Sequence, residues 1–157
     1  FYAGWMPAHF VLLHNQEAGP GLVTLLIVLI ALSDTGAYFV GKSMGRHKLS
    51  PRISPNKTWE GAIAGVVSAV LGMAIAWYID THYPAAPLPG WPLWAYALTG
   101  AVLAIAGQIG DLIESMMKRD AGVKDSGKLL PGHGGILDRC DGFLFAGPML
   151  YYLLAWL

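Results

Sequence analysis

The sequence is short of charge and of cysteine. Of its 157 residues only 13% are Asp, Glu, Lys or Arg and 55% are hydrophobic, whereas ordinary soluble domains carry about 25% charged residues. That balance points to a membrane protein. A single cysteine, Cys140, excludes an internal disulfide and any Cys-rich metal site. The chain begins at Phe1 and has no basic stretch followed by an apolar run, so no signal peptide is read. The expectation is a C-terminal fragment, residues 1–157, of a longer protein whose earlier spans are absent. Repeats and low-complexity tracts are missing too. Formal net charge is zero, and no nucleic-acid partner is expected.

Long apolar runs, in contrast, are plentiful. Residues 1–13 are apolar and aromatic but too short to span, and read as a helix tail or an interfacial segment. Complete spans are predicted over 21–41, 59–79, 91 to about 117, and 142–157. The second carries Gly61 and Gly65 at the small-xxx-small spacing that lets helices approach closely. This is read first as helix packing, with the same glycine face offering a contact for a homodimer. The expected architecture is an all-α, polytopic transmembrane helical bundle with two catalytic loops on one side.

Those loops are located by the basic residues. All ten Lys and Arg lie in 42–57 and 118–139, while the connections 14–20 and 80–90 have none. Alternate loops of a polytopic chain share a side, and basic loops stay in the cytoplasm. Both polar loops are therefore expected to face the cytoplasm, from a bacterial-type inner (plasma) membrane.

Two carboxylates lie within spans. Asp34 precedes Lys42 by eight residues and Asp111 precedes Lys118 by seven, which puts both roughly 10–12 Å inside the ends of their helices. An intramembrane carboxylate is costly and marks a functional site by default, the alternative being a buried helix–helix ion pair. Glu114, Ser115 and Lys118 follow Asp111 at i+3, i+4 and i+7, along one helical face. Asp138 and Asp141 straddle Arg139, and read equally as an acidic helix cap or as metal ligands. Carboxylates converging from separate helices would need a cation, and hard oxygen donors suit Mg²⁺ with substrate phosphates completing its shell. Residues 130–135 (LPGHGG) can turn backbone amides toward an anion. With Lys118, Arg119, Lys124, Lys128 and Arg139 around it, this is the equipment of phosphoryl or nucleotidyl transfer.

The segment SMMKRDAGVKDSGKLLPGHGGILDRCD, residues 115–141, resembles the signature of the phosphatidate cytidylyltransferase (CDP-diacylglycerol synthase) family. SPNKTWEG at 54–61 and SDTGAYFVG at 33–41 are further family-like stretches, so the resemblance covers essentially the whole chain. Cys140 departs from the pattern, which usually has an aliphatic, aromatic or Thr residue there. The resemblance implies transfer of CMP from CTP to phosphatidic acid at the cytoplasmic membrane face, giving CDP-diacylglycerol and pyrophosphate, with Mg²⁺ as the divalent cofactor. It implies metal binding by Asp111, Asp138 and Asp141, with Ser115 as a further oxygen ligand or substrate contact. Lys118, Arg119, Lys124, Asp125, His133 and Arg139 would form the catalytic set. Lys57, Lys128, Gly132, Gly134 and Gly135 would hold substrate, and Asp34 and Glu60 would be supporting carboxylates. Two alternatives stand beside it: a membrane nucleotidyl- or phosphotransferase acting on another lipid, and an ion-coupled transporter using Asp34 and Asp111.

Overall fold

Inside lipid a helix satisfies its own backbone polar groups, so the long apolar runs fold as helices. The computed structural model describes residues 2, 4–83, 88–123, 126, 127, 135 and 137–157, the side chain of Arg139 excepted. In chain order these form α1 (Trp5–His14), α2 (Gly19–Met44), β1 (Lys48–Ser50), β2 (Ser54–Thr58), α3 (Trp59–His82), α4 (Leu93–Asp120) and α5 (Leu137–Leu153). Helices α2, α3 and α4 are each long and apolar enough to cross a membrane. Helix α1, at ten residues, is too short, as its sequence suggested.

The predicted fourth span is corrected. Helix α5 starts five residues earlier than expected, at Leu137, and ends at Leu153. Its 17 residues rise about 25 Å, the lower limit for a helix that crosses the hydrocarbon core. The extension brings Asp138 and Asp141 into its first turns. The all-α reading also missed a hairpin. β1 and β2 pair antiparallel, Lys48 opposite Thr58 and Ser50 opposite Ser54. Pro55 fits because, with two strands, each has an outer edge where no donor is needed. At the end of β2 the Thr58 hydroxyl accepts from Gly61 N at 3.2 Å, capping α3 directly after the strand.

Helix α3 shows how the bundle is sided. Ile63, Val67, Leu71 and Ile75 recur every four residues and are all exposed, whereas Gly61, Gly65, Ala69, Met73 and Ala76 are buried. Large apolar groups outside and small residues at the contacts are what a lipid solvent selects, and the chain is an integral membrane protein. The inward glycines are already used. A Cβ on Gly61 would lie 2.7 Å from Ala37 O, and one on Gly65 would lie 2.9 Å from both Ser33 O and Gln108 Nε2. The glycine face is thus packed against α2 and α4 of the same chain. Gly65→Val should overpack this contact and cost about 1–3 kcal/mol, read as a lower Tm of the detergent-solubilised protein. Ile63→Val on the outward face should leave Tm unchanged, and equal effects of the two would contradict the packing assigned here.

Helices α4 and α5 approach as closely. A Cβ on Gly110 would meet the Asp141 carbonyl oxygen at 2.7 Å, and Gly107 faces Gly142. Only glycine lets the start of α5 lie against the turn of α4 that carries Asp111.

Candidate active site

The hairpin is held to the bundle by Glu60 in the first turn of α3. Its carboxylate accepts from Arg46 N at 3.2 Å, from His47 N at 3.2 Å and pairs with His47 Nδ1 at 2.6 Å. With that anchor and the Thr58 cap in place, Lys57 reaches across to α4. Its Nζ lies 2.5 Å from Asp111 Oδ2. At the tip of the hairpin, Ile53 O accepts from Arg119 Nε at 3.5 Å. The two basic connections therefore meet at one end of the bundle, as the count of Lys and Arg required.

On α4 the i, i+3, i+4, i+7 spacing does what helical geometry dictates. Ser115 Oγ donates to Asp111 Oδ1 at 3.4 Å, and Lys118 Nζ lies 2.6 Å from Glu114 Oε2. Glu114 is buried, with a relative exposure of only 1%. Asp34 of α2, at matched depth, interacts electrostatically with both Asp111 and Lys57.

Asp138, in the first turn of α5, gathers four donors among the described residues. Oδ1 accepts from Lys118 Nζ at 2.7 Å, and Oδ2 accepts from Ser126 N at 2.9 Å, Ser126 Oγ at 2.8 Å and Gly135 N at 2.7 Å. Burial alone would raise the pKa of this carboxyl. The Lys118 ammonium and the Gly135 and Ser126 donors outweigh it and hold the group well below the ordinary carboxylate value of 3.8. A depressed pKa means that its contribution to stability is complete above 3.8 and is lost only on further acidification. Asp141 accepts from its neighbour Gly142 N at 2.8 Å, and interacts electrostatically with Asp111, Glu114 and Lys57.

The three expected metal ligands, Asp111, Asp138 and Asp141, all lie toward this end of the bundle. Among the described residues no three His, Cys, Asp or Glu side chains form a group able to hold a metal ion. An ionised carboxylate has about two acceptor sites on each oxygen; among the described residues Oδ1 of Asp138 accepts only from Lys118, while Oδ2 accepts from Ser126 and Gly135. Asp111 and Asp141 remain as like charges in mutual reach, with the Ser115 hydroxyl beside Asp111. One or two carboxylates with a few further oxygens is the protein share of a typical Mg²⁺ site, and Asp111, Asp141 and Ser115 are donors of that kind.

Of the other residues singled out from sequence, Lys57, Ser115, Lys118, Arg119 and Gly135 sit at this end of the bundle, and Arg139 lies in the first turn of α5. Lys124, Asp125, Lys128, Gly132, His133 and Gly134 lie outside the described residues. Ser126 is not among the residues that the sequence singles out, although it supplies two of the four described donors on Asp138. A serine in a polar loop carries no periodic signal, and only the folded position of Asp138 gives it a role.

A model of the cytidylyltransferase family matches residues 1–157. Curated relatives named phosphatidate cytidylyltransferase include one from Synechocystis sp., 39% identical over all of this chain and 60% of the relative. Another, from Bacillus subtilis, is 46% identical over 98% of this chain and 55% of its own length. A third, from Brucella suis, is 46% identical over 96% of this chain and 53% of its own length. The chain thus spans little more than half the length of the relatives it matches.

Proposed function

Because this chain belongs to the cytidylyltransferase family, we propose that it carries the site for transfer of CMP from CTP to phosphatidic acid, giving CDP-diacylglycerol and pyrophosphate. The observation that carries the reading is the meeting of Lys57 and Asp111 across the hairpin and α4, beside the Glu114, Lys118 and Asp138 group, at the end of the bundle where both basic loops emerge. A soluble nucleotide and a lipid phosphate can meet only at such an interface. The positive-inside rule supports a cytoplasmic orientation for it, in a membrane of the bacterial inner type.

The chemistry asks for positioning and charge neutralisation. A phosphate oxygen of phosphatidic acid attacks the α-phosphorus of CTP, the bond from that phosphorus to the β-phosphate oxygen breaks, and pyrophosphate leaves with the electron pair. A phosphate monoester has a second pKa of about 6, by analogy with phosphoserine, so the nucleophile is already ionised near neutral pH and no strong base is required. An ammonium has three donors: Lys57 can hold Asp111, and Lys118 can hold Glu114 and Asp138, while each still offers a proton to a phosphate oxygen. Arg119, Lys124, Lys128 and Arg139 add positive charge for the triphosphate, and the 132–135 turn would add amides. Asp111 and Asp141, with Ser115, would hold Mg²⁺, which when bound supplies further neutralisation of phosphate charge. Asp34 supports Lys57 from α2.

The test is pyrophosphate release by the protein reconstituted in vesicles. Release is expected only when CTP, phosphatidic acid and Mg²⁺ are all supplied. Release that occurs equally without phosphatidic acid, or that prefers an isoprenoid phosphate as acceptor, would overturn the reading in favour of a different acceptor.

A further inference from the structure

The sequence assigns no role to Glu114 beyond its position on the face shared by Asp111 and Lys118. In the fold it is among the most deeply buried ionisable side chains described, and among the described residues its one oppositely charged neighbour within ion-pair distance is Lys118. We propose that Glu114 is a positioning residue: it fixes the Lys118 ammonium, and through it the Asp138 carboxylate that ties Ser126 to Gly135 in the polar block.

The contacts run in one line from the bundle interior to that block. Glu114 Oε2 lies 2.6 Å from Lys118 Nζ, which lies 2.7 Å from Asp138 Oδ1. The other oxygen of Asp138 receives both Ser126 donors and Gly135 N. Residues nine apart in sequence are thereby brought to one carboxylate oxygen. Their packing is equally close: a Cβ on Gly135 would collide with Ser126 Oγ and lie 2.8 Å from Gly127 N. The order of the line matters. An ammonium held by Asp138 alone could swing about that contact, whereas one held from both sides has a fixed place. A buried charge left without its partner is strongly unfavourable, so Glu114 and Lys118 hold each other in position, and the rigid helix α4 supplies both at i, i+4.

The kinetic arm of the test rests on the functional reading above; the structural arm does not. Hydrogen exchange at the Ser126 and Gly135 amides would be followed in the whole protein carrying Glu114→Leu, Glu114→Gln or Lys118→Met. Glu114→Leu should speed exchange at both amides by about tenfold while α2 and α3 keep their protection. Glu114→Gln, which retains an acceptor for Lys118, should recover most of the protection. In the kinetic arm, Glu114→Leu combined with Lys118→Met should be no slower than Lys118→Met alone, a non-additivity of about tenfold. Unchanged amide exchange in a folded Glu114→Leu protein, or penalties that simply multiply, would overturn the proposal. Should Glu114→Leu not fold, Lys118→Met carries the structural arm: normal protection of Ser126 and Gly135 in that protein would overturn it equally. If the unsubstituted protein releases no pyrophosphate, the functional reading fails while the exchange result still decides the role of Glu114.

Discussion

Asp138→Asn is expected to lower CTP-dependent pyrophosphate release by about 10² or more, the scale on which removal of a preorganised polar group acts. The substitution is nearly isosteric, so the effect comes from hydrogen-bonding capacity. An amide has one accepting oxygen and a donating NH₂, yet Asp138 faces four donors, from Lys118, Ser126 and Gly135. Whichever way the amide turns, its NH₂ opposes either the Lys118 ammonium or the two backbone N–H groups. Among the described residues Lys118 also keeps only Glu114 as a charged partner. A charged hydrogen bond is worth about 1.5–3 kcal/mol, enough to disturb the polar block without unfolding helices that are held by apolar contacts elsewhere. The measurement is turnover together with Tm of the purified protein. Near-normal turnover with a normal Tm would show that the Asp138 carboxylate has no essential part.

Asp111→Asn should be nearly as damaging, by a different route. Here the charge lost is the one Lys57 is paired with, and the one in reach of Asp141 and Asp34. If Asp111 and Asp141 share a divalent ion, the Mg²⁺ concentration for half-maximal turnover should rise by about 10- to 100-fold, the usual cost of disturbing a metal site. Turnover should then recover in part at high Mg²⁺. A rise in KM for CTP with the Mg²⁺ requirement unchanged would instead assign Asp111 to holding Lys57. Kinetics indistinguishable from the unsubstituted protein would remove Asp111 from the site. Comparing the two substitutions is informative because the structure separates their targets: Asp138 serves Lys118 and the polar block, Asp111 serves Lys57 and Asp141.

Much of this was legible beforehand, and for physical reasons. Apolar runs of about 20 residues are long enough to cross the bilayer as helices, and three of the four predicted spans correspond to helices α2, α3 and α4. Segregated Lys and Arg placed the two polar connections on one side, and Lys57 does meet Asp111 there. The i, i+4 spacing of Glu114 and Lys118 translated directly into an ion pair. The errors lie where local pattern is weak. Helix α5 begins earlier and stops sooner than its hydropathy suggests, because its first turns are polar and serve the site. The short hairpin has two prolines in and beside its strands, and reads as a plain loop until Glu60 and Thr58 are seen to hold it.

By itself, the order of residues determined that this is a helical membrane protein, which loops share a side, and which acidic and basic groups could take part in phosphate chemistry. Periodicity and hydropathy are properties of neighbouring residues, and they survive without any knowledge of the fold. Partnership between distant residues does not. That Lys57 takes Asp111, that Lys118 lies between Glu114 and Asp138, and that Asp138 is filled by Ser126 and Gly135 depends on how closely the helices approach. This approach is set by the missing side chains of Gly61, Gly65, Gly107 and Gly110, and a displacement of one or two ångströms there would redistribute every ion pair at the site.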